Sequence, residues 1–311
     1  MRKAFVSTLV ALGKLDPRIM LVTGDLGFNA LEEFRDTLPH QYLNAGVAEQ
    51  NMLGVAAGRA LSGRIVFAYS IIPFVTYRCF EHVRDDVSYH NLPVCMVGVG
   101  GGYGYGILGS THHSLEDVAI MRTLPNTAVI CPGDPLEVAA AVSAIIAAGT
   151  PAYLRLGKAG EPNVHAGPLT NFAIGKGIVL QDGTDVALIT GGTMLETGRD
   201  AAKMLAEKGI SVRLIDLHTV KPLDRALVLK AATETKLIVT LEEHGPIGGL
   251  GGAVAEVLSQ LPSHARHLTL SAPDAFAGDI GSQNYFRRKE GLTAAGVTEA
   301  IRQAFSASER G

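Results

Sequence analysis

The sequence predicts an α/β protein built from two units, each a parallel sheet flanked by helices. Three observations carry this. Short apolar runs of strand length alternate with helix-patterned segments along nearly the whole chain. Several of those runs, LPVCMVGVG among them, are apolar without alternation, as strands buried on both faces are. The alternation breaks once, in the Gly/Pro-rich stretch GKAGEPNVHAGPLTNFAIG near the middle of a 311-residue chain, which is too long for one average core.

The elements follow in order. MRKAFVSTLVALGKLDPR begins like a leader peptide, with basic residues before an apolar run. Phe5, Leu9 and Leu12 lie on one helical face, however, and no small-residue cleavage site precedes Lys14 and Asp16. It is read as an amphipathic first helix. RIMLVTGD is a buried strand ending at Gly24-Asp25. QYLNAG is a short strand leading into an apolar helix, NAGVAEQNMLGVAAGRAL, that carries one carboxylate, Glu49. GRIVFAYS is a strand, and PFVTYRCFEHVRDDVSYH a single helix with Pro73 in its first turn. LPVCMVGVG, NTAVICPGD and PAYLRLG are three more strands. Beyond the break, DVALITGG is a strand and MLETGRDAAKMLAEKG a helix closed by a C-cap glycine. SVRLIDLHTVKPLD, KLIVTLEEH and HLTLSAPD complete the pattern, with helices between. The chain therefore divides into a first unit at residues 1–165, a linker at 166–178 and a smaller second unit at 179–311.

Composition narrows the function. Hydrophobic residues make up 47% and charged ones 18%, and there is no Trp. So apolar a chain implies a large core or a surface that meets a partner, and an oligomer explains both. The net charge of −3, with no basic block, argues against nucleic acid. The longest apolar run, VAAAVSAIIAAG, is too short to span a bilayer. Three cysteines, Cys79, Cys95 and Cys131, have no CxxC spacing and read as buried thiols of a cytoplasmic protein.

Five segments carry candidate chemistry. LEEHGPIGGLGGAVAEVL has the strand–turn–helix order of a dinucleotide fingerprint but places Val254 where the third glycine belongs, so close packing explains it better. GVGGGYGYGILGSTHHSLED follows a buried strand. A loop so rich in glycine is mobile or lets backbone approach a ligand. The adjacent His112 and His113 point differently and have no carboxylate at ligand spacing, so no metal site is read. Phe74, Tyr77 and Phe80 stand three apart, on one face of a continuous helix. Arg155 and Lys158, at a strand end, are solvated or grip a phosphate. A lone buried carboxylate such as Glu49 is paired, protonated or used.

The order of these pieces resembles one family. A G-V-x-E-x-x-M segment precedes aromatics three apart. A Gly-rich loop ending in T-H, a P-x-D after a strand and an R-x-x-K after another follow. This is similar to the C-terminal half of transketolases and 1-deoxyxylulose-5-phosphate synthases, and the similarity runs from Arg2 to the end of the chain. The resemblance implies a thiamine-diphosphate-binding fold: a pyrimidine-binding domain followed by a transketolase C-terminal-like domain. It implies thiamine diphosphate and Mg2+ as cofactors. The G-D-G Mg2+-diphosphate motif is absent from these residues, so the metal is expected mainly on an N-terminal transketolase-like partner subunit in an α2β2 assembly.

By this resemblance Glu49 bonds the aminopyrimidine nitrogen and holds its proton, helped by an apolar setting that raises its pKa. Phe74 stacks on the pyrimidine, Tyr77 and Phe80 match the next two aromatics, and Asp25 lies near the cofactor. His112 contacts donor oxygens. Lys158 and Arg2 grip the substrate phosphate. Leu108 stands where relatives place an Asp that reads a sugar hydroxyl, and Gly100 where they place a histidine, so the acceptor is expected to be less hydroxylated or unusual. The resulting expectation is the pyrimidine-binding subunit of a split transketolase-like transferase. It moves a two-carbon ketol or related acyl unit from a ketose or 2-oxo donor to an aldehyde. A 2-oxo acid dehydrogenase β subunit or a deoxyxylulose-phosphate-synthase-like decarboxylating enzyme is the alternative within enzymes. A non-catalytic assembly subunit is the alternative outside them.

Overall fold

A computed structural model of the chain describes residues 1–308. Twelve strands form two sheets among these residues. They are β1 (Ile19–Thr23), β2 (Tyr42–Asn44), β3 (Ile65–Ile71), β4 (Val94–Val99), β5 (Ala128–Ile130), β6 (Ala152–Leu156), β7 (Ile178–Gln181), β8 (Val186–Thr190), β9 (Val212–Asp216), β10 (Thr219–Lys221), β11 (Leu237–Leu241) and β12 (Arg266–Leu270). The first sheet runs β10-β5-β6-β4-β3-β1-β2 and the second β12-β11-β8-β9-β7. The α/β class is as expected. Every residue of β1, β4, β6, β8, β9 and β11 is buried, as strands covered on both faces are, and β6 and β9 thereby bury Arg155, Arg213 and Asp216.

Two details depart from two purely parallel sheets. β7 pairs antiparallel with β9 at the edge of the second sheet. β10 leaves the second unit and pairs antiparallel with β5, closing the edge of the first sheet. The segment SVRLIDLHTVKPLD is thus two strands that serve different sheets. A bare edge at β5 would expose unpaired backbone groups, and β10 covers it.

The first helix, Arg2–Leu15, buries Phe5, Val6, Leu9 and Val10 against the first sheet. The Glu49 helix spans Glu49–Leu61, so the carboxylate stands at its first position rather than in its middle. The helix dipole there favours negative charge.

The helix expected over PFVTYRCFEHVRDDVSYH is broken. Ile72–Val75 is helical, residues 76–79 turn, Phe80–His82 resumes, and Val83–Tyr89 is a wider π-type turn. Side chains compete for the carbonyls that a regular helix would use. The Thr76 hydroxyl bonds Ile72 O at 2.7 Å and the Cys79 thiol bonds Phe74 O at 3.1 Å. Arg78 N then reaches Pro73 O, one residue further back than an α-helix allows. Phe74, Tyr77 and Phe80 therefore do not share one regular helical face.

The Gly-rich loop after β4 is packed rather than open. A Cβ on Gly101 would meet the Arg155 guanidinium at 2.9 Å, and one on Gly102 the Glu243 carboxyl at 2.5 Å. Glu243, buried between the sheets, accepts from Tyr103 N, Thr193 Oγ1 and Gln283 Nε2, and pairs with Arg287. The glycines let the loop approach the second unit. The turn IGGLGG also has an internal occupant: the Glu242 carboxylate accepts from Leu250 N and Gly251 N, both at 2.7 Å, and caps the helix that begins there.

Candidate active site

The carboxyl ends of β1 and β2 build the first part of the site. Asn44, closing β2, accepts from Asp25 N at 3.0 Å and Gly46 N at 2.9 Å, and donates to the Asp25 carboxylate at 2.8 Å. Asp25 makes this turn at a positive φ of 56°. The network fixes the bend that delivers Glu49. Gly24 is needed beside it, because a Cβ there would press on Glu49 Cγ at 3.3 Å.

Glu49 is 3% exposed, yet it is not a lone carboxylate. Arg78 Nη1 donates to its Oε2 at 2.7 Å. The expected wholly apolar setting is corrected here: the carboxyl sits between a helix N-terminus and a guanidinium. Its Oε1 has no hydrogen-bond partner among the described residues. The neighbouring Cys79 thiol is pushed up to about 12 by burial and by the Glu49 charge, so it stays protonated.

From Glu49 a line of contacts runs across the sheet ends. Arg78 lies over the Phe74 ring, 4.6 Å from its centre. Phe74 is half-buried and meets the His112 ring edge-on at 5.3 Å. His112 lies 6.4 Å from the Tyr105 ring, and Lys158 Nζ sits 4.6 Å over that same ring. Arg2, in the first helix, shares with Lys158 a cavity of about 650 Å³ that also includes Asn29, Glu32 and Glu33. Burial lowers the pKa of His112, which favours the neutral imidazole.

The structure thus brings Glu49, Phe74, His112, Lys158 and Arg2 into one continuous arrangement, with Asp25 at its Glu49 end. Two expected aromatics lie off this line. Tyr77 turns its hydroxyl to Glu116 Oε2 at 2.9 Å and lines a separate cavity of about 360 Å³. Phe80 packs against the core. Leu108 is half-exposed on a short 3-10 turn, Gly106–Leu108, ahead of His112. Arg155 is no phosphate hook. It is buried, with Nε 2.7 Å from Asp117 Oδ2 and further bonds to Ser114 O and Glu243 O. His113 is buried among Tyr103 and Phe286.

Sequence reasoning missed Arg78 and Tyr105. Arg78 stands between two aromatics taken as a stripe, and its pairing follows from a helix break that periodicity does not show. Tyr105 could have been found from Gly100. There φ is +93°, and a Cβ would collide with the Tyr105 ring. The ring fills the space that a larger residue at Gly100 would need.

Comparison with known proteins decides the family. Residues 1–161 match the family model described as "Transketolase, pyrimidine binding domain", and residues 175–297 match "Transketolase, C-terminal domain". The chain belongs to the transketolase family. This transketolase-family chain is 38% identical to one of the subunits of the apulose-4-phosphate transketolase of Phocaeicola vulgatus, over 94% of both chains. It is 37% identical to the 6-deoxy-6-sulfo-D-fructose transketolase subunit SqwH of Clostridium sp., over 100% of this chain and 95% of that one. A solved structure described as a split gene transketolase, inactive beta4 tetramer, superposes with a TM-score of 0.88 at 37% identity, covering 98% of this chain and 97% of that one. Membership of this family implies thiamine diphosphate as cofactor and group transfer as chemistry.

Proposed function

We propose that this chain is the pyrimidine-binding subunit of a split, thiamine-diphosphate-dependent transketolase, which moves a two-carbon ketol unit from a ketose to an aldehyde. The observation that carries the reading is the buried Glu49 carboxyl with Oε1 unpartnered, beside the half-buried Phe74 ring and His112. These residues fit the pyrimidine end of the cofactor: an acid for a ring nitrogen and an aromatic face for the ring. When bound, thiamine diphosphate supplies the carbanion chemistry.

The chain's own residues supply the rest. Glu49 turns its Oε1 to the pyrimidine nitrogen as a hydrogen-bonding partner, while Arg78 orients the carboxyl through Oε2. Phe74 packs against the ring. His112, kept neutral by burial, offers its imidazole to donor and acceptor oxygens. Lys158 and Arg2 take the substrate phosphate in the cavity they share. Tyr105, held under Lys158, is a hydroxyl-bearing residue where the loop lacks a side chain at Gly100. Residues 1–165 and 179–311 are the two domains of this reading, with 166–178 between them.

An N-terminal transketolase-like partner completes the site, holds the diphosphate and Mg2+, and assembles with this chain as α2β2 in the cytoplasm. Support comes from relatives named as subunits that match along 94% or more of their length. Apolar side chains exposed at the site also support it. Phe28 and Val47 flank the Asp25–Glu49 turns and are 74% and 76% exposed, and Ile107 and Leu108 precede His112. Their burial against a partner would remove that surface from water. The experiment is reconstitution with the partner subunit, assaying ketol transfer and CO2 release together. Transfer without CO2 supports the reading. Pyruvate consumption with CO2 release would favour the decarboxylating alternative.

A further inference from the structure

Between the two sheets, away from the Glu49 line, lies a second cluster of polar side chains. Glu137 comes from the helix Pro135–Ala148 beside the first sheet. Asp216 ends β9 of the second sheet, and His165 lies in the segment connecting the two halves. Glu137 and Asp216 are 0% exposed and the His165 side chain 5%.

Their free atoms converge. His165 Nε2 is 4.0 Å from Glu137 Oε1 and 3.8 Å from Asp216 Oδ2, and one ligand atom from each residue falls within 4.8 Å of the others. Glu137 Oε1, His165 Nε2 and both oxygens of Asp216 have no hydrogen-bond partner. Buried polar atoms are rarely left this way, and three that converge, one from each residue, call for a common occupant. Metal bonds of about 2.0–2.2 Å place ligand atoms roughly 3–4 Å apart, which matches the two separations to Nε2.

The outer contacts are those of a ligand set. Asp134 Oδ2 lies 3.0 Å from His165 Nδ1 and accepts from His165 N and Val164 N at 2.9 Å. A carboxylate on Nδ1 fixes the tautomer that leaves Nε2 with its lone pair toward Glu137 and Asp216. The Glu137 Oε2 atom is anchored by Gly133 N.

We propose that Glu137, His165 and Asp216 bind one divalent cation of the zinc class, which ties the first sheet's helix, the connecting segment and the second sheet together. Two carboxylates balance the cation's charge, and an imidazole selects zinc over magnesium or calcium, which prefer all-oxygen shells. The role is structural: the site joins the two halves and does not touch the Glu49 line. Sequence spacing could not show it, because its residues come from three separate segments.

The test uses the full chain purified from zinc-supplemented cells. Bound zinc per chain and Tm are measured before and after chelation, beside Asp216→Asn and His165→Gln. The expected result is about one zinc per chain in the wild type, occupancy reduced roughly tenfold or more in both variants, and a Tm that chelation lowers only in the wild type. Should either variant fold poorly, Co2+ titrated into the chelated wild type is expected to give the visible absorption of a nitrogen–oxygen site. A wild type free of zinc, with a chelator-insensitive Tm and no Co2+ band, would overturn the proposal and leave Glu137 and Asp216 sharing a proton. Equal zinc in folded variants would overturn it as adventitious surface binding.

Discussion

At the residue scale the instructive position is Glu49. Its sequence context, Ala, Gly, Val and Met, suggests a carboxyl set among apolar groups. The structure adds Arg78, brought in by a helix break that the hydroxyl of Thr76 and the thiol of Cys79 create. That Glu49 is buried was legible because its motif is local, and its Arg78 partner was not, because the pairing depends on tertiary geometry. The same split applies to LRLGK. Arg155 and Lys158 look alike in sequence, yet one is buried on Asp117 and the other lies over Tyr105. Two predictions belong here. Lys158→Ala should raise KM for a phosphorylated substrate about 10–100-fold, as loss of a charge-assisted bond does, with a smaller effect on kcat. Steady-state kinetics of the reconstituted enzyme measure this. Asp117→Ala should cost roughly 3–5 kcal/mol, because it leaves the buried Arg155 guanidinium unpaired. Urea unfolding of the full chain measures that loss, and a change under about 1 kcal/mol would refute it.

At the element scale the strands were the most legible part. Unalternated apolar runs marked β1, β4, β6, β8 and β11 directly. β7 escaped notice because its exposed edge position lets Val179 and Gln181 face solvent, which weakens the apolar signal. β10 escaped because three residues carry no periodicity and its partner β5 lies far away in the chain. The Gly-rich loop was read as mobile or as backbone that approaches a ligand, and instead it packs on the Glu243 hub of the same chain. Gly102 has φ +63° and no room for a Cβ against that carboxyl. Gly102→Ala should therefore destabilise by roughly 2–4 kcal/mol, strain and overpacking together. Thermal unfolding checks it, and an unchanged Tm would show that the loop yields freely.

At the scale of the whole molecule, β10 crosses from the second unit to complete the first sheet, a buried polar seam lies between the sheets, and the proposed cofactor site sits at the ends of the first sheet. On the proposed reading the pyrimidine side is built here, with exposed Phe28, Val47, Ile107 and Leu108 around it. It follows that the chain by itself should bind thiamine diphosphate and Mg2+ weakly, and that mixing with the partner should restore tight binding. Calorimetry compares the two, and tight binding by this chain alone would contradict a shared site. The most direct measurement concerns Glu49. In the reconstituted two-subunit enzyme, Glu49→Gln should lower thiamine-diphosphate-dependent ketol transfer by about 100-fold or more, the usual worth of a positioned proton donor. Turnover at the wild-type rate would contradict the assignment of Glu49 as the acid that serves the cofactor.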